Sequence, residues 1–337
     1  MGTYIITGAC GHLGSTIARA LAARGERVRA LALPGESDRA LQGLNVEIVR
    51  GDVLDSASLD ALFIGPGAVV IHAAGIISIK AKSDPMVRAV NVEGTRNVID
   101  ACRRRGARRL VYVSSVHAIP DPPGGQEAGE VARFDPDRVE GLYARTKAEA
   151  TQLVLDAAKW GLDAVVVHPS GIIGPGDWGR GHMTQLAVDF MRGRLTAAIR
   201  GGFDFVDVRD VADGVIAAAD RAKAGECYIL SNRFYSVDEL LGLMADAGRR
   251  KKIKTVLPRW FVGAVAPLCE LWYRMRRQTP LFTRYSIATL SGNVRYSHAK
   301  AERGLGYRTR DMKKTVEDTI AFLREIGRIP KGKGERK

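Results

Sequence analysis

The chain has 337 residues, 46% hydrophobic and 26% charged, enough apolar material for one large or two smaller domains, which excludes disorder as its main state. The cysteines Cys10, Cys102, Cys227 and Cys269 form no CxxC pair and have no histidine at ligand spacing, so neither a metal site nor a disulfide framework is expected, and a reducing cytoplasm fits. The formal net charge of +14 is carried partly by the runs Arg103–Arg105, Arg249–Lys252 and Arg274–Arg277; without interleaved aromatic residues these read as solvated helix ends and loops, and no nucleic-acid partner is expected.

The opening MGTYIITGACGHLG lacks the basic region and cleavage site of a signal peptide, and no apolar run reaches membrane-span length, so a cytoplasmic protein with no integral span is expected. Tyr4–Thr7 reads as a strand, and a glycine-punctuated turn leads from it into a helix at Ser15–Arg24. Strands follow at Val28–Leu33 and Val46–Val49, then a short helix at Ser56–Phe63 capped by a serine, and a continuously apolar strand at Ala68–Ala73. A helix is predicted over Asn91–Arg105, a strand over Leu110–Ser114, a long helix over Tyr143–Trp160 and a strand over Ala164–His168. This alternation predicts an α/β fold: a doubly wound parallel sheet, with residues 1–170 as a Rossmann-type domain.

After Pro169 the texture changes to glycine-rich turns and helical stretches at Val211–Arg221, Ser236–Gly248, Pro258–Met275 and Met312–Ile326. Residues 171–327 read as a smaller, mostly helical substrate lid, with segments near 203–232 returning to the first domain, and 328–337 as a basic flexible tail.

The first chemical motif is Gly8-x-x-Gly11-x-x-Gly14, between the first strand and the first helix. A diphosphate needs unhindered backbone amides and a helix N-terminus, and side chains at these glycines would block it. The alternative is a tight turn with no ligand. Gly51-Asp52-Val53 places a carboxylate where it meets an adenine amino group or caps the next helix; His72-Ala73-Ala74-Gly75 ends a strand at the carboxyl edge of the sheet, with His72 read as a packed strand residue. In Tyr143-Ala-Arg-Thr-Lys147 the phenol and the ammonium, four residues apart, share one helix face, and the ammonium favours the phenolate that a general acid/base must form. The strand VYVSS ends in Ser114 and Ser115, offering a hydroxyl to polarise a carbonyl; serines there are also common turn formers.

In this order TGACGHLG, GDV, HAAG, NVEGT, YVSS, YARTK and HPSGIIGPGD resemble the extended short-chain dehydrogenase/reductase superfamily, of the NAD-dependent epimerase/dehydratase type, across nearly the whole chain. The texture is similar to dihydroflavonol reductase-like and hydroxysteroid dehydrogenase-like proteins. The resemblance implies catalysis by Ser115, Tyr143 and Lys147, with Asn91 ordering a proton-relay water, and Ser115 preferred to Ser114. It implies a cofactor bed of Gly8, Cys10, Gly11, His12, Leu13, Gly14, Asp52, Val53, Ala73, Ala74, Gly75, Tyr143, Lys147 and Pro169, with Cys10 a tolerated small side chain.

For the dinucleotide, the carboxylate of NAD-selective relatives is missing at Ala32, and the arginine of dihydroflavonol reductase relatives is missing at Leu33. Arg39 is within reach from the loop, though a solvated arginine is the default; the reading leans to NADP over NAD. The expected substrate is a small carbonyl or alcohol, apolar if the helix containing Trp260, Phe261, Leu268, Leu271 and Trp272 lines its pocket; that helix otherwise packs on the lid's core, a partner subunit or a membrane surface. A ketone or aldehyde reductase is preferred. The alternatives are a nucleotide-sugar epimerase with tightly bound NAD, which would suit Arg180, Arg192 and Arg194, and a non-catalytic dinucleotide sensor or scaffold. A sugar dehydratase is disfavoured because Val116 and His117, not acidic residues, follow Ser115. A homodimer through the helices following Asn91 and Tyr143 is implied by the resemblance.

Overall fold

The fold was obtained as a computed structural model and is described for residues 2–77, 84–123, 126–179, 181–257 and 294–330. The apolar helix expected over Pro258–Met275 and the tail from residue 331 onward lie outside the described residues.

Seven strands form a single parallel sheet: β1 (Thr3–Thr7), β2 (Arg27–Ala32), β3 (Val46–Arg50), β4 (Val69–His72), β5 (Arg109–Val113), β6 (Ala164–Pro169) and β10 (Cys227–Leu230). Their order is β10-β6-β5-β4-β1-β2-β3, so the winding direction reverses between β1 and β4. At such a switch point the two flanking loops diverge and leave a crevice at the carboxyl ends of the strands. Every residue of β4 and of β6 is buried, which is why these segments are continuously apolar: helices cover both faces of the sheet. On one face lie α1 (His12–Ala23), α7 (Val208–Arg221) and α9 (Ala299–Leu305); on the other lie α2 (Ser56–Asp60), α4 (Gly94–Arg105) and α5 (Leu142–Lys159). The inward face of α1 is Ile17, Ala18 and Leu21, the apolar stripe that its spacing predicts.

Two boundaries differ from the sequence expectation for identifiable reasons. The cap of α2 is Asp55, not a serine: its carboxylate accepts from the amides of Ala57 and Ser58, and Ser56 is already helical. The helix expected from Asn91 is preceded by the helical turn α3 (Pro85–Arg88) and a π-helical turn over Ala89–Glu93, and regular helix begins only at Gly94. A Cβ at Gly94 would lie 2.8 Å from Val53 Cγ2, so glycine lets this helix approach the β3–α2 loop.

Beyond β6 the helices expected at Val211–Arg221, Ser236–Gly248 and Met312–Ile326 are present, and short strands stand among them. β7 (Gly171–Ile173), β9 (Gly202–Asp207) and β11 (Arg233–Ser236) form a three-stranded sheet, and β8 (Ala198–Ile199) pairs with β12 (Val256–Leu257). With α6 (His182–Met191), α8 (Val237–Gly248) and α10 (Met312–Glu325) they enclose a separate core around Phe190, Met244, Val316 and Leu323. β10 pairs in parallel with β6, bringing the chain back to the main sheet. Among the described residues no helix is long and apolar enough to cross a membrane.

Candidate active site

The crevice is floored by the turn between β1 and α1. Gly8 has φ +71° and a Cβ there would sit 2.6 Å from Ala74 N, while a Cβ at Gly14 would meet Gly8 O at 2.1 Å. These contacts are backbone on backbone, so no side-chain rearrangement relieves them. Gly11 is the N-cap of α1, which has no side-chain cap and no acidic residue in its first turn. Open amides at a positive helix end are what a diphosphate requires, and the residues present fit a dinucleotide. Cys10 lies in this turn as an unreactive thiol, pushed up to about 11 by burial and then by Glu36.

His12 and Leu13 contribute differently from the glycines. The His12 imidazole donates through Nε2 to Pro175 O at 3.0 Å, so its side chain ties α1 to the loop after β7; Leu13 packs on the core beneath α1. That same loop carries Trp178, and the Arg39 guanidinium lies over its ring, 4.4 Å from the centroid. Arg39, from the segment after β2, and Trp178, from the segment after β7, thus join two segments distant in the chain. Arg50, whose register partner on β2 is Ala32, pairs with Asp38 and donates to the Glu36 carbonyl. Asp52 closes a turn by accepting from Leu54 N at 2.9 Å. Val53 is buried against Gly94 and offers only its backbone to a ligand.

Across the switch point, Ala73 N donates to Thr7 O and Ala74 N to Thr7 Oγ1. Beneath them is a buried polar relay. Thr95 Oγ1 donates to Asn91 O at 2.7 Å, so it accepts from His72 Nε2, and His72 Nδ1 accepts from Thr7 Oγ1 at 2.7 Å. Desolvation, with the Lys147 charge second, pulls His72 down to about 3. His72 is a neutral structural imidazole linking β1, β4 and the π-helical turn. Asn91 is fully engaged at the end of that relay: its amide exchanges hydrogen bonds with Ile76 N and Ile76 O, and donates to Thr146 Oγ1 at 3.1 Å. It brackets the strand-end loop against α5, one residue before Lys147.

On α5, Tyr143 and Lys147 face the crevice, 7% and 5% exposed. Lys147 Nζ donates to Val113 O at 2.8 Å, and to Tyr112 Oη at 3.4 Å. Burial pulls its ammonium down to about 7. A Cβ at Gly75 would lie 3.4 Å from this nitrogen, so the HAAG loop and α5 face each other across one narrow gap. The two serines have separate roles. Ser114 Oγ is hydrogen-bonded to Thr151 Oγ1 at 2.6 Å in the core, whereas Ser115 Oγ caps the turn Val116–Ala118 through His117 N at 3.3 Å. The His117 ring, two residues after Ser115, meets the Tyr143 ring edge-on at 5.9 Å.

Several contributors carry no sequence signal of their own. Tyr112 lies under Lys147 as a strand aromatic, its phenol pushed far up by burial and then by Tyr143. His168, directly before Pro169, donates through Nδ1 to Ser115 O at 3.1 Å and stacks on Phe134. Phe203, from β9, stacks on His117 with centroids 5.2 Å apart and packs edge-on against Phe205 and Tyr296. Only the i, i+4 pairing of Tyr143 with Lys147 is readable from spacing; the others meet through sheet order.

The doubly wound sheet agrees with comparison to known proteins. Residues 4–231 match the NAD dependent epimerase/dehydratase family. The chain belongs to that family. It is 33% identical over 331 residues to sterol demethylase protein B of Methylococcus capsulatus, covering 97% of this chain and 100% of the relative. It is 29% identical over 335 residues to a putative dihydroflavonol 4-reductase of Synechocystis, covering 97% and 96%. The crystal structure of gox2253 superposes with a TM-score of 0.84 at 30% identity, covering 98% of this chain and 100% of the other. As a member of this NAD-dependent epimerase/dehydratase family, the chain is an enzyme with a Rossmann-type sheet.

Proposed function

We propose that this enzyme is a reductase or dehydrogenase that interconverts an apolar ketone and its alcohol, with NADP as the favoured dinucleotide. What supports the reading is the placement of Tyr143 and Lys147, buried one turn apart on α5, beside a row of rings formed by His117, Phe203 and Tyr296. A wall of rings suits an apolar substrate. The relatives named as a sterol demethylase protein and a dihydroflavonol reductase support the same reading. The arginines that would serve a sugar nucleotide are otherwise engaged: Arg192 donates to Arg328 O and Arg194 pairs with Asp189. Arg180 lies outside the described residues.

Gly8, Gly11, Gly14, Ala74 and Gly75 would hold the dinucleotide, and a bound nicotinamide supplies or accepts the hydride. Tyr143 passes its phenolic proton to the carbonyl oxygen as the alkoxide develops, and takes it back in the oxidising direction. Ser115 Oγ donates to the same oxygen. Lys147, held by Val113 O and Tyr112, places its ammonium where it stabilises the phenolate left on Tyr143. Arg39, stacked on Trp178, has no carboxylate partner among the described residues and is the group we assign to the ribose phosphate of NADP, with Arg50 beside it.

Fluorescence titration with NADPH and NADH, followed by turnover of a ketone panel by wild type and Tyr143→Phe, tests the reading. NADPH should bind more tightly, and Tyr143→Phe should lose at least about a hundredfold in kcat with dinucleotide affinity unchanged. Retained turnover in that variant contradicts the assignment; tight copurified NAD that does not exchange points to epimerisation instead.

A further inference from the structure

We propose that His117 is a specificity-determining residue that hydrogen-bonds a second oxygen on the substrate, one placed beta to the reacting carbonyl carbon. The inference rests on the carbonyl-reductase reading above. His117 stands two residues after Ser115 and is held there by the Ser115 Oγ cap. Its ring is fixed on both sides: Phe203 lies parallel to it at 5.2 Å and 15°, and the Tyr143 ring meets it at 5.9 Å and 73°.

What distinguishes this imidazole is its nitrogens. His12, His72, His168 and His298 each use at least one ring nitrogen in a hydrogen bond within the protein, and His182 is exposed to solvent. Neither ring nitrogen of His117 has a partner among the described residues, although the ring is only partly exposed and shares the crevice with Tyr143. A phenylalanine would fill the same stack and the same edge contact, so packing does not account for the nitrogens. Burial pulls the imidazole down to about 4, so at neutral pH it offers one N–H donor and one acceptor rather than a charge. Ser115 and Tyr143 are the pair that addresses the reacting oxygen. The imidazole is held beside that pair by Phe203, in place to address an oxygen further along the substrate. A hydroxyl, a second carbonyl or a carboxylate in the beta position satisfies it, and a plain ketone leaves it without a partner in a desolvated wall.

The test uses benzylacetone and benzoylacetone, which share a carbon skeleton and differ by one oxygen beta to the methyl ketone. Wild type and His117→Phe are assayed with NADPH, and dinucleotide binding by both is titrated first. Wild type should favour benzoylacetone by about tenfold or more in kcat/KM. His117→Phe should lose that preference, its kcat/KM on benzoylacetone falling about tenfold relative to that on benzylacetone with NADPH affinity unchanged. A preference that survives in His117→Phe overturns the proposal, as does an equal loss on both ketones, which would mark a packing role. Wild type that binds NADPH but favours benzylacetone, or reduces neither, overturns the substrate class named here. Absence of dinucleotide binding in wild type instead removes the reductase reading itself.

Discussion

Lys147 is the residue whose ionisation is most strongly tied to the fold. Its ammonium is drawn down to about 7 by burial, against a value near 10.4 for an unfolded lysine. Between those values the unfolded chain holds a proton that the folded chain has released, so folding becomes more favourable as pH rises through that window. Chemical denaturation of dinucleotide-free wild type and Lys147→Met at pH 7 and pH 9 should show wild type gaining about 2 kcal/mol on the variant. Equal changes in the two proteins would mean that the lysine is solvated. The neighbouring serines show what is legible at this scale. Alternation along a strand puts Ser114 and Ser115 on opposite sides, but only the position of Thr151 on α5 decides that Ser114 is the one engaged in the core.

At the scale of elements, the glycine turn is where motif and geometry agree most closely. A Cβ at Gly14 would enter the Gly8 carbonyl at 2.1 Å, and the relief must come from moving α1 away from β1. Gly14→Ala is expected to destabilise the protein by roughly 2–4 kcal/mol and to abolish dinucleotide binding, read by thermal melting and NADPH titration. A variant with normal binding would show that the turn has slack. The stack of Arg39 on Trp178 was not legible, since its partners come from the segments after β2 and after β7, far apart along the chain. Trp178→Ala removes a stacking contact of about 1 kcal/mol and should speed NADPH release roughly fivefold in stopped-flow, with Trp178→Phe close to wild type. The strands β9 and β11 escaped the sequence reading for a related reason. Their residues, GFDFVD and RFYS, are short and flanked by helix-like stretches, and their partners lie far along the chain.

The whole molecule carries a set of imidazoles that must stay neutral for it to fold. His72, His117 and His168 are pulled down to about 3, about 4 and about 4, in each case chiefly by burial. The unfolded chain takes up protons on these groups below about 6.5, so their contribution is complete above that pH and is lost as pH falls toward 4. The urea midpoint is expected to drop steadily across that interval, each unit of depression accounting for up to about 1.4 kcal/mol per histidine; a flat profile would contradict the burial. The basic excess, in contrast, is largely local. Arg104 pairs with Asp60, Arg103 and Arg105 donate to carbonyls, and Lys252 pairs with Asp246.

The sequence by itself determined the class of sheet, the glycine turn, the family and the Tyr143/Lys147 pair, because each is written in local periodicity or fixed spacing, which a helix or strand converts directly into geometry. Only the tertiary structure decided that His117 meets Phe203, that His168 holds the Ser115 carbonyl, that Tyr112 lies under Lys147 and that Arg39 stacks on Trp178. These contacts join segments whose separation along the chain says nothing of their separation in space. The order of strands in the sheet and the return of the second half over the crevice set them, and neither is encoded in any one segment.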